Sequence, residues 1–315
     1  MSSAPLPALE ILLDWHSDHA RHRDRHVFTG ALPQPPETGE RILFAADSGH
    51  PLAGRRIRVG VLAHGALEAP IDGHLDLASL AAARGCGLQA WPPQNAHSMR
   101  LPRHERGDER DDGIFYAQPR RVHHIDSRAR QELAALYGRL LTPGSRVLDL
   151  MAGWRSHLPD CGLAVTGLGM NDEEMADNPV LAEYRVHDLN RKPHLPLADA
   201  AFDAVVCSLS IEYLTQPMEV LADVRRVLRP GGLFVVSFSE RWFPTKAIGL
   251  WLQLQPFERL GLVLDWLRQA GFTDLSSESL RGWPRPPGDI YINRTPFSDP
   301  LYAAWGHSGS IVQVD

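Results

Sequence analysis

The chain has 315 residues, of which 43% are hydrophobic and 22% charged, with a formal net charge of −6 and three cysteines without a CxxC pair. That length allows a sizeable core in two domains, or in one large domain with an extension, and the acidic balance speaks against nucleic acid as the main partner. No apolar run approaches the roughly 20 residues that cross a bilayer, MSSAPLP lacks the parts of a secretion signal, and Cys86, Cys161 and Cys207 read as free thiols of a reducing compartment, so the expectation is a cytoplasmic protein with no membrane partner.

Residues 6–15, LPALEILLDW, carry apolar side chains at helical spacing. His16, His19, His22 and His26 follow at gaps of three and four. On a helix such gaps bring two or three imidazoles to one face, as a metal set requires. Without a cysteine or a second ligand motif the stretch reads as a solvated helix face, and no metal ligand is assigned. PQPPETG (33–39) is a break. RILFAAD and RRIRVGVLAHG read as strands around SGHPLAG, and LDLASLAAARG as a helix ending at Gly85. The charge-dense LPRHERGDERDDG (101–113) reads as an exposed linker. A domain boundary placed there leaves 1–112 as an N-terminal extension or small mixed module of unassigned role, and 113–315 as the main domain.

From residue 114 the pattern changes. SRARQELAALYGRLL (127–141) is an amphipathic helix with a Leu133, Leu136, Leu140, Leu141 stripe, Ser127 as N-cap and Pro143-Gly144 as its end. Strand and helix signals then alternate. VLDLM is a strand, GWRSHLP a helical turn stopped by Pro159, LAVTGLGM a strand and NDEEMADNPVLAEY a helix. YRVHDL and FDAVVCSLS are strands, MEVLADVRRVLRP a helix, GLFVVSFS a strand and ERLGLVLDWLRQAG a helix, with short strands near TDLSSESL and PLYAAWG. This alternation predicts an α/β fold with a doubly wound, mostly parallel sheet.

Five features fall at the carboxyl ends of these strands, where open α/β sheets bind ligands. They are Asp149 with Gly153, GLGMN (167–171), Asp188 in HDLN, Ser208–Ser210 with Glu212 and Tyr213, and RVLRPGG running into GLFVVSFS. In this order the set resembles the class I S-adenosylmethionine-dependent methyltransferases, closest to the type 11 small-molecule branch, over about 114–315. The resemblance implies a seven-stranded Rossmann-like sheet, S-adenosylmethionine as cofactor and a small-molecule methyl acceptor. It implies that Asp149 compensates the methionine ammonium and that Gly153 lets backbone pack under the cofactor. Asp188 would accept from the adenine amino group, with Leu189 offering a backbone donor, and Ser208 would meet the methionine amine.

The chain departs from the family at two places. The outer glycines of D-x-G-x-G-x-G fall at Met151 and Arg155, and Gly169 stands where a ribose-binding acid is usual. Asn171, Asp172 or Glu173 would then serve the ribose, and an amide such as Asn171 can both accept and donate. His157, Glu212 and Tyr213 are the catalytic candidates, His157 because imidazole titrates near neutral pH. Trp242, Phe243, Pro244 and Lys246 would line a substrate wall. Arg120, Arg121, His123 and His124 precede the first helix and could close over a carboxylate. The reading is a methyltransferase for an unidentified small molecule. The alternative is a non-catalytic binding protein on the same fold, and a nicotinamide oxidoreductase is disfavoured because GxGxxG is absent.

Overall fold

The computed structural model describes residues 9–13, 23–29, 57–62, 104–254, 256–281, 283–293 and 297–309. Its strands are β1 (Leu9–Leu13), β2 (Arg23–Thr29), β3 (Ile57–Leu62), β4 (Arg146–Leu150), β5 (Ala164–Gly169), β6 (Leu181–Val186), β7 (Phe202–Ser208), β8 (Leu228–Ser239), β9 (Phe272–Arg281) and β10 (Leu301–Ser308). Its helices are α1 (Asp112–Phe115), α2 (Ser127–Leu140), α3 (Asp172–Ala176), α4 (Pro217–Val227), α5 (Gly249–Gln253) and α6 (Pro256–Gln269).

All these strands join one sheet in the order β1-β3-β2-β9-β10-β8-β7-β4-β5-β6. From β6 to β8 the strands are parallel, and β10 runs antiparallel to both β8 and β9. The seven strands β4–β10 form the mostly parallel, doubly wound sheet that the alternation predicts and the seven-stranded Rossmann-like sheet that the resemblance implies. The chain winds outward from β4 to β6 and then returns to lay β7 and β8 on the other side of β4. The order therefore reverses between β4 and β7, which opens a crevice at their carboxyl ends.

The central strands are apolar on both faces because both faces are covered. Val147, Leu148, Asp149 and Leu150 of β4 are all buried. Leu148 and Leu150 pack with Val205, Cys207, Val236 and the α4 and α6 residues Val220, Val224, Leu260 and Leu267. On the opposite face Val147, Ala204, Val206 and Val235 pack with Leu133, Leu136 and Tyr137 of α2. Each fully buried leucine of this kind stabilises the fold by roughly 1.5–3 kcal/mol. Asp149 shares its strand parity with Val147, so its carboxylate lies on the α2 side, at the crevice.

Several local expectations change. Asp126, not Ser127, caps α2, its carboxylate accepting from the Ala129 N–H at 2.9 Å. The segment GWRSHLP forms no helix, and neither does the rest of 151–163, where Pro159 removes a donor. The helix expected over 171–184 stops at Ala176, and its apolar end becomes β6. Within 6–15, Leu9–Leu13 is a strand paired with β3, since five residues do not propagate a helix and Leu9, Ile11 and Leu13 suit a pleat. His26 lies in β2, so it does not share a helical face with His16, His19 and His22, which are outside the described residues, as are RILFAAD and 75–85.

Most of 104–113 is exposed as expected, but two of its charged residues, Arg106 and Asp112, are buried. Arg106 is buried against Asp112, with Nη1 2.8 Å from Oδ2, and Lys246 Nζ stands 2.9 Å from Oδ1 of the same carboxylate. The Asp108 N–H donates to the Thr245 carbonyl, and the Gly249 N–H to that of Glu105. Arg106, Asp112 and Lys246 thus neutralise one another in the interior, while most of the remaining charges of the stretch face solvent.

Candidate functional site

A cavity of about 830 Å³ opens at the carboxyl edge over β4, β5 and β7. Asp149, Gly153, His157, Asn171, Asp188, Leu189, Ser208 and Tyr213 all line it. Their sequence separation spans more than 60 residues, so the sheet order alone brings them together.

The floor is built from the β4 turn. Asp149 is 4% exposed, and its Oδ2 accepts from Ser156 Oγ at 2.5 Å. Asn178 Nδ2 donates to that same Oγ and to the Gly153 carbonyl, so one buried amide fixes the loop on which Asp149 depends. Burial raises the Asp149 carboxyl to about 6, partly offset by Ser156. No cation stands within ion-pair reach of it among the described residues.

Met151 occupies the first outer-glycine position with φ +62°, a left-handed conformation that a side chain adopts at a cost of order 1 kcal/mol or more. The turn keeps a glycine-like backbone although the glycine is gone. Beside it, a Cβ added to Gly169 would lie 2.1 Å from the Ala152 carbonyl oxygen. The Ala152 N–H donates to the Leu168 carbonyl at 2.9 Å. The position of the usual ribose acid is therefore filled by the backbone of the loop itself.

Asn171 borders the cavity but is not free. Its Oδ1 caps α3 by accepting from the Glu174 N–H, and its Nδ2 donates to the carbonyls of Tyr116 and Ala117. Glu174, which the sequence reading did not single out, also lines the cavity. Its Oε1 accepts from the Arg120 N–H at 2.6 Å, while Oε2 lies against Gly153, 3.0 Å from where a Cβ would stand. The segment 112–126 is tied down over this side. Trp154 Nε1 donates to the Val122 carbonyl, Arg121 pairs with Asp177, and Arg120 stacks on Phe115 at 4.4 Å. Arg121 is thus spent on α3, whereas His123 and His124 line the cavity.

Asp188 forms a turn in which Oδ1 accepts from the N–H groups of Asn190 and Arg191, the turn reading that its HDLN setting also allowed. At the end of β7, Ser208 Oγ is 2.6 Å from the Tyr137 hydroxyl, and the Ser208 carbonyl already accepts from Ser210 Oγ. Leu209 next to it has φ +55°.

The three catalytic candidates separate. His157 lines the cavity with its imidazole lowered to about 4, first by burial and then by Arg130, His123 and His124, so it is neutral at pH 7. Tyr213 is in the wall, its oxygen accepting from the Phe243 N–H at 2.9 Å. Glu212 does not line the cavity; it is fully buried, and neither carboxylate oxygen makes a well-formed hydrogen bond, though the Tyr213 hydroxyl is close enough to favour its ionised form. The expectation that it contacts substrate is corrected.

Trp242 and Phe243 line the cavity as expected, with the Tyr213 ring 6.0 Å from Phe243. Lys246 does not, being the buried partner of Asp112, and Pro244 is exposed elsewhere. Pro286–Tyr291, from the loop between β9 and β10, complete the wall. That loop is anchored by Arg285, whose buried guanidinium meets Asp299 at 2.8 Å, Asp289 at 3.0 Å and Asp126 at 3.4 Å. Arg130 of α2 faces the same cavity with its Nε buried and unpartnered, and makes no ion pair among the described residues. Neither the loop nor Arg130 carried a sequence signal, since nothing local distinguishes a lining arginine from a solvated one. Among the described residues no set of three or more metal-binding side chains occurs, and no helix is long and apolar enough to cross a membrane.

Residues 155–236 match the family model described as a methyltransferase domain. The chain is 37% identical to a demethylmenaquinone methyltransferase of Beutenbergia cavernae over 154 residues, covering 45% of this chain and 60% of that one. It is 27% identical to a ubiquinone/menaquinone biosynthesis C-methyltransferase of Laribacter hongkongensis over 157 residues, 45% of this chain and 62% of that one. The chain thus spans about three fifths of the length of these relatives. A crystal structure of a SAM-dependent methyltransferase from Archaeoglobus fulgidus is similar with a TM-score of 0.42 and 16% identity, over 56% of this chain and 94% of the other.

Proposed function

For a chain that carries a class I S-adenosylmethionine-dependent methyltransferase domain, we propose that it transfers the methyl group of S-adenosylmethionine to a small, flat, largely apolar ring, a quinol or related phenol. One observation carries this reading. A single cavity has a carboxylate floor and glycine cradle on one side and an aromatic wall on the other, Asp149 with Gly153 and Gly169 facing Tyr213, Trp242 and Phe243. The two C-methyltransferase relatives, named for quinones, agree with the wall.

The residues present fit the cofactor. Asp149 is buried and lacks a cation, which suits an ammonium. The orphaned Nε of Arg130 suits a carboxylate, in a site where no helix N-terminus follows β4 to do so. Glu174 Oε2 in place of the absent strand-end acid, rather than Asn171, is our choice for the ribose hydroxyls, and Asp188 Oδ2 for the adenine amine. When bound, S-adenosylmethionine supplies an electrophilic methyl on a sulfonium. The chain's part is to hold an acceptor in line and keep water away, and orientation of this kind supplies much of the rate. A cytoplasmic setting and a main domain over residues 113–315, with 104–112 packed onto it through Glu105 and Asp112, belong to the same reading.

The test is incubation with S-adenosylmethionine labelled in the methyl group and a reduced 1,4-naphthoquinone lacking a ring methyl. Label in the ring carbon is expected. Binding of S-adenosylmethionine by calorimetry without transfer to any quinol or phenol would favour the binding-protein reading, which the loss of two loop glycines motivates. No binding at millimolar ligand would sink both.

A further inference from the structure

Behind the aromatic wall lies a group of buried polar atoms with no well-formed hydrogen bond to protein. They are both carboxylate oxygens of Glu212 and the Tyr116 hydroxyl, which the Glu212 charge reaches. Buried polar atoms are rarely left unsatisfied, and those without protein partners are served by internal water. Glu212 is 0% exposed, so an ionised carboxylate there without a hydrogen bond is costly. Replacing it with an apolar residue would fill the same space without that cost, so the carboxyl has another use.

The Tyr116 and Tyr213 rings both line the cavity, and both phenols are raised first by burial, then by the Asp112 and Glu212 charges at Tyr116 and by the Glu212 charge at Tyr213. The Phe243 N–H donates into the Tyr213 oxygen, which leaves the phenolic hydrogen to be given to an acceptor on the far side. The tyrosines thus stand between the cavity and the carboxyl. The charged and titratable groups around Glu212 are Tyr213 on its own turn, Tyr116, Cys207 of β7 and Arg259 of α6. Arg259 makes no carboxylate ion pair among the described residues; its Nε donates to the Trp251 carbonyl and its guanidinium stacks 4.4 Å from the Trp242 ring centre. Its charge therefore supports an ionised Glu212 at a distance without fixing its proton.

We propose that Glu212 is the proton store of the cavity, taking the proton of the methyl acceptor through the Tyr213 or Tyr116 hydroxyl and internal water. The acceptor's O–H or C–H bond breaks with its electron pair kept by the acceptor, which becomes the nucleophile. The tyrosine oxygen takes that proton as it releases its own to water, and the Glu212 carboxylate takes one in turn and becomes neutral. Glu212 is in this scheme a positioning residue for a proton, since it touches no substrate. Burial raises its carboxyl to about 7, which lets it cycle near neutral pH.

This proposal rests on the methyl-transfer reading only for its second measurement. The first is infrared titration of the whole protein, comparing wild type with Glu212→Gln. A protonated-carboxyl band that grows as pH falls through about 7, and is missing from the variant, is expected. A Glu212 carboxyl that stays in one protonation state from pH 5 to 9 would overturn the proposal, whatever the protein methylates. The second is the pH dependence of transfer to the naphthoquinol. Glu212→Gln is expected to slow turnover roughly 10²-fold, the usual size of a proton-transfer contribution, with S-adenosylmethionine affinity kept and the inflection near 7 removed. An unchanged pH profile in the variant would overturn it. No transfer by wild type, with the band still titrating, would refute the acceptor class and leave the proton store standing.

Discussion

The α-carbon of Gly169 is pressed against the backbone of Ala152, so closely that a Cβ would stand 2.1 Å from the Ala152 carbonyl oxygen. The loop after β4 thus occupies the space in which an acid at the end of β5 would sit. Restoring that acid by Gly169→Asp is expected to displace backbone, not to rebuild a ribose contact. The cost is about 3 kcal/mol or more, at the upper end of overpacking changes, read as a fall in Tm together with loss of S-adenosylmethionine binding. A stable variant that binds more tightly would show that the loop moves freely.

Asp149 and Asp188 test the cofactor side. Asp149→Asn retains shape and removes the charge, and loss of a charge-assisted contact is worth roughly 1.5–3 kcal/mol. Calorimetry is expected to find S-adenosylmethionine binding weakened by about 10- to 100-fold. Asp188→Ala is expected to weaken it less, because water can replace its remaining oxygen. Unchanged affinity in both variants would refute the assignment.

Stability has a predictable pH dependence. Burial raises Asp149 from 3.8 to about 6 and Glu212 from 4.5 to about 7. Both groups hold a proton more tightly in the folded chain than in the unfolded one. Their contribution is therefore most favourable below pH 4, is lost as pH rises through these windows, and levels off above about 7. For Glu212 the difference amounts to about 3 kcal/mol. Chemical denaturation at pH 8 is expected to find Glu212→Gln more stable than wild type, with the gap closing by pH 5. A gap of equal size at both values would exclude a titrating origin.

Arg285 holds the wall loop to the body of the domain through Asp126, Asp289 and Asp299. Arg285→Met leaves buried carboxylates without their cation, which costs about 3–5 kcal/mol. Because Asp126 also caps α2, the expected result is a large drop in Tm and, in the folded fraction, a raised KM for the naphthoquinol. A variant with wild-type Tm would show that Arg241, 3.6 Å from Asp299, compensates.

Asn171→Ala separates cap from ligand contact. Losing the α3 cap costs about 1 kcal/mol, and the Tyr116 and Ala117 carbonyls lose their donor. Weaker S-adenosylmethionine binding that Asn171→Asp does not restore is expected, since aspartate caps the helix but cannot donate to those carbonyls. Full rescue by aspartate would place the role in the cap alone.

The sequence by itself determined the central parallel strands β4, β5, β7 and β8. Runs such as VLDL and FDAVVCS are apolar at consecutive positions, as a strand covered on both faces requires, and their alternation with amphipathic helices gives the doubly wound class. It also marked Asp149, Gly153, Asp188 and Ser208 as strand-end residues, and the sheet order gathers them around one cavity. Tertiary structure decided what each side chain was free to do. Asn171 is spent on a cap and a tether, Lys246 on a buried carboxylate, and Glu212 lies one layer behind the wall. The reason is that hydrophobic period is a local property of the chain, whereas the availability of a polar group depends on partners brought from distant segments. Arg130, Glu174 and the Arg285 loop enter the site in that way, with no pattern in their own neighbourhood to announce them.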